Sequence, residues 1–170
     1  RDLAGNPLAR DFALAWTTGA ATDAVAPTVR ETLNANGATN VALNPKIGAT
    51  FSEAMDPLTI TSKTFLLAQG TTAVPGTVAY SGVTALLIPL NNLAPATVHT
   101  VTLKGGPGGV KDLAGNPLAS DHVWSWTTGT EPDAGAPAVA STTNANGATN
   151  VAINAQVGAT FTEGMDPLTI

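Results

Sequence analysis

The chain writes one passage twice. Residues 1–60 recur as residues 111–170 at a constant offset of 110, so that Asp2 aligns with Asp112, Trp16 with Trp126, Phe51 with Phe161 and Ile60 with Ile170. About 40 of the 60 aligned positions are identical and no insertion breaks the register. A fixed period sets the folding unit before any local pattern is read, and one period here is the size of a single small domain. The expected organisation is therefore one and a half units. Residues 1–19 would close a preceding repeat, 20–25 form a linker, 26–129 a complete domain, 130–135 a second linker and 136–170 the opening of a following repeat. Neither end segment holds enough chain to bury a core by itself. The expectation is a longer tandem array, preferred over strand exchange between neighbouring chains because both end segments lack a counterpart of residues 61–110.

The charge balance removes one class of function. Seven basic residues against twelve acidic ones leave a formal charge of -5, and a nucleic-acid binder needs a basic patch to displace counterions from phosphates. Charged residues make up 11% of the chain, and Ala, Thr, Gly, Asn and Pro dominate, a composition expected of secreted repeat proteins. There is no cysteine, so neither disulfides nor thiolate–metal centres hold the fold. No apolar run approaches the roughly 20 residues that span a bilayer.

Local patterning predicts short strands. Phe12, Leu14 and Trp16 alternate with smaller residues, and His122, Trp124 and Trp126 keep the same phase in the second copy, which assigns that face to the core. Ile47, Ala49 and Phe51 alternate in the same way, matched by Val157, Ala159 and Phe161. A turn is expected at Gly5-Asn6-Pro7 and another at Asn36-Gly37. Further strands are expected over 59–67, 74–80, 83–88 and 97–103, and a long flexible loop over the Gly105–Gly109 run. About seven short strands separated by Gly, Pro and Asn, with no helical apolar period, predict an all-β fold: an antiparallel Ig-like β-sandwich repeated in tandem.

Particular motifs carry a family resemblance. Pro27, the Asn-Gly-Ala-Thr-Asn-Val of 36–41, the Phe-Ser-Glu-Ala-Met-Asp of 51–56, Leu93-x-Pro95-x-Thr97, the Lys-Asp-Leu-Ala-Gly-Asn of 111–116 and the Trp-Thr-Thr-Gly of 126–129 occur in order. Together they resemble the bacterial Ig-like domain of S-layer proteins and large surface adhesins, over the whole chain. The resemblance implies an extracellular spacer and assembly module without catalysis, in a fibre, stalk or surface layer whose partners are copies of itself or neighbouring repeats. The alternative it implies is an adhesin module for carbohydrate or a cell-surface receptor. Where the family has a corner tyrosine whose hydroxyl bonds back to the chain, this sequence has His99. The imidazole either replaces that hydrogen bond or leaves it weaker. Phe51, Trp126, Trp16 and His99 are accordingly the expected structural positions.

Catalytic constellations find little support. His99 and His122 both lie on apolar strand faces, and His122 aligns with Phe12 in the other copy. No Gly-x-Ser-x-Gly occurs. Glu53 with Asp56, or Asp112 with Asp121, are the paired carboxylates a glycosidase would need, but Asp56 before Pro57 reads as a turn cap. The run at 105–109 lacks the Lys-Ser/Thr and helix of a phosphate cradle. Calcium, which takes six to eight oxygens, is the one cofactor for which the residue types exist. Asp112, Asn116 and Asp121 are the candidate ligands, or alternatively Glu131 and Asp133 of the linker, with an Asx turn over 112–116 as the structural reading. Trp124 and Trp126, if exposed, would offer a stacking surface for sugars; repetition of Trp126 as Trp16 and of Trp124 as Leu14 assigns them to the core.

Overall fold

Period-two alternation turns one face of each strand inward, and that face is where the large side chains lie. The computed structural model describes residues 9, 10, 12–19 and 21–169; the turn expected at Gly5-Asn6-Pro7 lies outside them. Eight strands occupy residues 29–127: β1 Val29–Thr32, β2 Ile47–Phe51, β3 Phe65–Gln69, β4 Thr72–Val74, β5 Gly76–Ser81, β6 Thr84–Pro89, β7 Val98–Leu103 and β8 His122–Thr127. They form two four-stranded antiparallel sheets, in the orders β1-β2-β6-β5 and β4-β3-β7-β8. The core lies between the sheets. Ile47 and Phe51 from β2 and Leu87 from β6 face Phe65 of β3, Val101 of β7 and Trp126 of β8. The chain is an all-β Ig-like sandwich.

Three expectations about local structure are corrected. The strand placed at 59–67 begins only at Phe65, because threonine hydroxyls capture the backbone first: Thr64 Oγ1 donates to the Thr59 carbonyl at 2.5 Å and accepts from the Thr61 N–H at 2.9 Å. The single strand expected over 74–80 is two strands in different sheets. Pro75 separates them, since it has no N–H to give a ladder and its ring restricts the preceding residue. This is why eight strands appear where about seven were expected. The 105–109 run is a closely packed loop. Val110 donates to the Lys104 carbonyl at 2.9 Å, Gly106 to Leu118 at 2.7 Å and Leu118 to Val110 at 2.9 Å. A Cβ on Gly105 would stand 2.2 Å from the carbonyl carbon of Ser120, so the absence of a side chain is what allows the approach.

The two end segments behave differently from their counterparts. Residues 12–19 form no strand, and Trp16 is 75% exposed where Trp126 is 1% exposed. In 136–170, β9 (Val139–Thr142) pairs only with β10 (Ala159–Phe161), and Val157 is 94% exposed where Ile47 is fully buried. The physical reason is the missing second sheet. An isolated strand or hairpin does not bury enough apolar surface to offset the entropy of ordering it.

His99 is buried on β7, opposite Trp126, whose ring it stacks against at a centroid distance of 6.4 Å. Its Nδ1 donates to the Thr97 carbonyl at 3.1 Å, and Nε2 has no partner among the described residues. Burial pushes the imidazole pKa down, and the Thr97 bond only partly offsets it. The unfolded chain therefore binds a proton near pH 6.5 that the folded chain resists, so stability is full above that pH and falls as pH drops through it. A different residue ties the chain back. The hydroxyl of Tyr80, the chain's one tyrosine, accepts from the Met55 N–H at 2.6 Å and donates to the Gly82 carbonyl at 2.7 Å.

Two outcomes are expected. The melting temperature is flat above about pH 7 and declines toward pH 5; His99→Tyr leaves the value at neutral pH equal or higher and shrinks the acid decline to the share of His122, as thermal melts across that range would read. Gly105→Ala costs about 1–3 kcal/mol by overpacking against Ser120, measured by urea denaturation.

Candidate functional site

Two groups of polar side chains outside the core are the candidate sites, one at the segment before β1 and one at the segment after β8. At one end, three carboxylates converge: Asp23 from the linker, Glu53 just after β2, and Asp112 from the loop between β7 and β8, with one oxygen of each within 4.8 Å of the others. Asp112 is the buried member. Burial alone would raise its pKa, but hydrogen bonds from Asn116, Ala114 and Gly115 outweigh that cost and hold the carboxyl below its ordinary value. Its Oδ1 accepts from the N–H groups of Ala114 and Asn116, each at 2.8 Å, and its Oδ2 from Asn116 Nδ2 at 2.8 Å. Asn116 Nδ2 also reaches the Asp23 carbonyl at 3.3 Å, so the turn is bonded to the linker that precedes the domain.

The structure regroups the calcium candidates. Asp112 and Asn116 are adjacent, but Asn116 turns its amide nitrogen toward Asp112, as an Asx turn requires. Asp121 is paired elsewhere, accepting from Lys104 Nζ at 2.8 Å and the Gly105 N–H at 2.9 Å, which lowers its pKa through the lysine first. The carboxylates that meet are Asp23, Glu53 and Asp112, a set with one member on a linker that sequence spacing cannot connect to the other two. Three carboxylate oxygens are part of the coordination a hard cation needs, and this set could hold one. The pairs weighed for glycoside chemistry are not formed: Glu53 joins the junction, while Asp56 Oδ1 accepts the Leu58 N–H at 2.9 Å beside Pro57.

At the other end, residues 131–133 are bound to the loop before β2. Leu43 donates to the Glu131 carbonyl at 3.2 Å, and Asn44 and Asp133 exchange two bonds, Asn44 Nδ2 to the Asp133 carbonyl at 3.0 Å and the Asp133 N–H to Asn44 Oδ1 at 2.8 Å. Lys46 makes an ion pair with Asp166, in the following segment. Asn44, Lys46, Asp133 and Asp166 border a cleft of about 730 Å³ that also includes Glu163. The side-chain hydrogen bond of Glu163 with Asp133 raises the Glu163 pKa. Asp133 and Glu163 stand at the offset of 110 from Asp23 and Glu53, so the carboxylate pairing recurs at both junctions.

Trp124 and Trp126 do not make a surface. Trp124 and Trp126 are both in the core, where Trp124 lies against Phe65 and His122, and neither offers a face for a sugar. The Trp-Thr-Thr-Gly motif acts structurally. Thr128 Oγ1 donates to the Ala94 carbonyl at 2.6 Å and accepts the Thr97 N–H at 3.0 Å, while Gly129 donates to Val41 at 2.7 Å. Thr128 and Tyr80 are residues that pattern reading missed; their hydroxyls bond groups distant in sequence and leave no period behind.

Asp112→Ala is expected to cost about 1–3 kcal/mol, because the N–H groups it collects lose their acceptor. Because the folded pKa is depressed, the wild-type contribution is present above the ordinary carboxylate range and is lost as pH falls below about 4. Urea denaturation of both proteins at pH 7 and at acid pH reads both effects.

Comparison with known proteins places this architecture. The chain matches the family described as bacterial Ig-like domain over residues 23–128 and again over 133–170. No curated protein sequence matches it. Among solved structures it is similar to the S-layer protein rSbsC, at 21% identity over 68% of this chain, with a TM-score of 0.48. It is also similar to Mycobacterium tuberculosis L,D-transpeptidase 1, at 18% identity over 61% of this chain and 39% of that one, with a TM-score of 0.41. The native conformation of E. coli alpha-2-macroglobulin is a third, at 20% identity over 68% of this chain and 7% of that one, with a TM-score of 0.45. The chain spans 15% of the length of the S-layer protein. Likeness at this level concerns the fold and not what those proteins do. With its sandwich, its ordered motifs and two matches in succession, the chain belongs to the bacterial Ig-like domain family.

Proposed function

We propose that this chain is a structural repeat of an extracellular bacterial fibre, stalk or surface layer, which supplies length and assembly and carries out no catalysis. The observation that carries this reading is the repeat kept in register at 110 residues and joined through bonded linkers, above all the reciprocal pair of Asn44 and Asp133. A linker of about six residues, held to the preceding domain by backbone and side-chain bonds, transmits orientation from one unit to the next. Units that touch mainly their neighbours then form a quasi-one-dimensional rod. The residue types support the same reading. The histidines and tryptophans of the complete domain pack on β7 and β8, and the carboxylates of the junction are spent on turns and linkers.

Small-angle scattering from recombinant arrays of two, four and six repeats tests this. The maximum dimension is expected to grow by a constant increment of roughly 40 Å per repeat, the length of one sandwich with its loops. Asn44→Ala is expected to leave the melting temperature of each unit within a few degrees while making the array more flexible, so that the increment shrinks as repeats are added. Arrays that collapse to compact particles in the unmodified protein would overturn the reading.

A further inference from the structure

A sheet edge is a row of unpaired N–H and C=O groups, and proteins blunt it with shortness, charge, proline, bulges or a covering segment. The two four-stranded sheets have four edges: β1, β5, β4 and β8. Three are blunted. On β1 the exposed Arg30 and Glu31 sit beside a break in register. The strand β4 is three residues long and runs into Pro75. The edge of β8 is covered by residues 36–41, with Gly37 donating to the Ser125 carbonyl at 2.7 Å and Thr127 to the Ala38 carbonyl at 2.8 Å. Among the described residues nothing covers the edge of β5, and Pro75, which precedes it, continues its pairing with β6 through its carbonyl. The six residues of β5, Gly-Thr-Val-Ala-Tyr-Ser, carry no charge and no proline, and they pair with β6 in an unbroken register. No Asp, Glu, Lys or Arg occurs anywhere between Lys63 and Lys104.

The phase of this edge can be read. Ser81 and Thr84 flank a two-residue turn whose first central position, Gly82, has φ 59°; flanking residues of such a hairpin form a hydrogen-bonded pair. Alternation along the ladder then directs the peptide groups of Thr77, Ala79 and Ser81 at β6 and those of Val78 and Tyr80 outward. The Leu90 N–H on the Pro75 carbonyl, at 3.1 Å, continues the same phase. Side chains divide accordingly. Val78 and Tyr80 pack on the core, while Thr77, Ala79 and Ser81 face solvent.

We propose that β5 is a lateral contact with a second copy of this chain, formed by antiparallel pairing of the two β5 strands about a two-fold axis at Ala79. In this register Val78 lies opposite Tyr80 of the second copy, so outward peptide groups meet outward peptide groups and each four-stranded sheet becomes half of an eight-stranded one. The strand complements itself there: apolar residues meet on the inner face, Thr77 meets Ser81 on the outer face, and Ala79 meets Ala79. A slip of one residue would set inner side chains against outer ones. The uncharged strand carries no ionic pattern to select a different partner, and a two-fold pairing uses one surface twice. The choice of a second copy as occupant rests on this complementarity of the strand to itself and on the proposed reading of the chain as an assembling repeat.

Sedimentation equilibrium of the 170-residue chain tests this with two exposed substitutions, Ala79→Lys and Ala79→Glu. The unmodified chain is expected to rise with concentration from 17.0 kDa toward twice that mass. Each variant alone is expected to stay at the monomer mass, because like charges would stand opposite each other at the axis. An equimolar mixture of the two restores the dimer. Their melting temperatures stay with that of the unmodified chain, since the Ala79 side chain faces solvent. A chain that remains monomeric to millimolar concentration overturns the proposal. So does association that persists undiminished in both single variants, which would place it at exposed residues such as Trp16 or Val157. Failure of the rod reading is separate: compact arrays whose dimerisation still follows the charge at position 79 would overturn that reading and leave this one standing.

Discussion

The structure depends on seating β8. This last strand of the unit is held on one side by β7 and on the other by residues 36–41, so it joins the end of the domain to its beginning. Trp126 fills the space between the sheets from this strand, and Thr128 at its end bonds the loop that leads into β7. A contact between residues 89 positions apart closes only after most of the domain is in place, as expected of a cooperative, all-or-none unit. The end segments illustrate the same constraint from the other side. Residues 12–19 hold nearly the same apolar pattern as β8 but no β7 stands beside them, and their large side chains lie in water.

Polar groups in this domain serve closure and connection. The carboxylate of Asp112 gathers the N–H groups of its own loop, Tyr80 joins the segment after β2 to the hairpin of β5 and β6, and Asp121 holds Lys104 and Gly105. Further polar contacts tie the segments before β1 and after β8 to the domain, where Asn44 grips Asp133 and Asp23 meets Glu53 and Asp112. This distribution suits the role proposed above, a repeat joined to its neighbours. The partly exposed ion pair of Lys46 with Asp166 adds little energy by itself.

One edge is treated differently from the other three. Covering, charging or shortening an edge guards against unwanted pairing, and three edges show those devices. β5 retains a neutral, self-complementary row in the middle of a 40-residue stretch without charge. Lateral contact through such an edge and end-to-end contact through the linkers lie on different sides of the sandwich, so an array could use both.

The folding unit, the all-β class and the core phase were legible in the sequence because each leaves a periodic mark. The repeat announces itself at 110, and alternation in β2, β7 and β8 names Phe51, Val101 and Trp126 as inward residues. Local turn chemistry was legible too, at Asn36-Gly37 and Asp56-Pro57, since it acts within a few residues. What tertiary structure alone decided are the choices made between distant segments. Pro75 divides an apparent strand between two sheets, glycines of the 105–109 run allow two backbones to touch, and Asp23 comes to Asp112 rather than Asp121. No pattern in one segment reports the position of another. Burial follows the same rule: Trp16 and Trp126 stand in nearly identical sequence, and only the presence of a facing sheet makes one of them core.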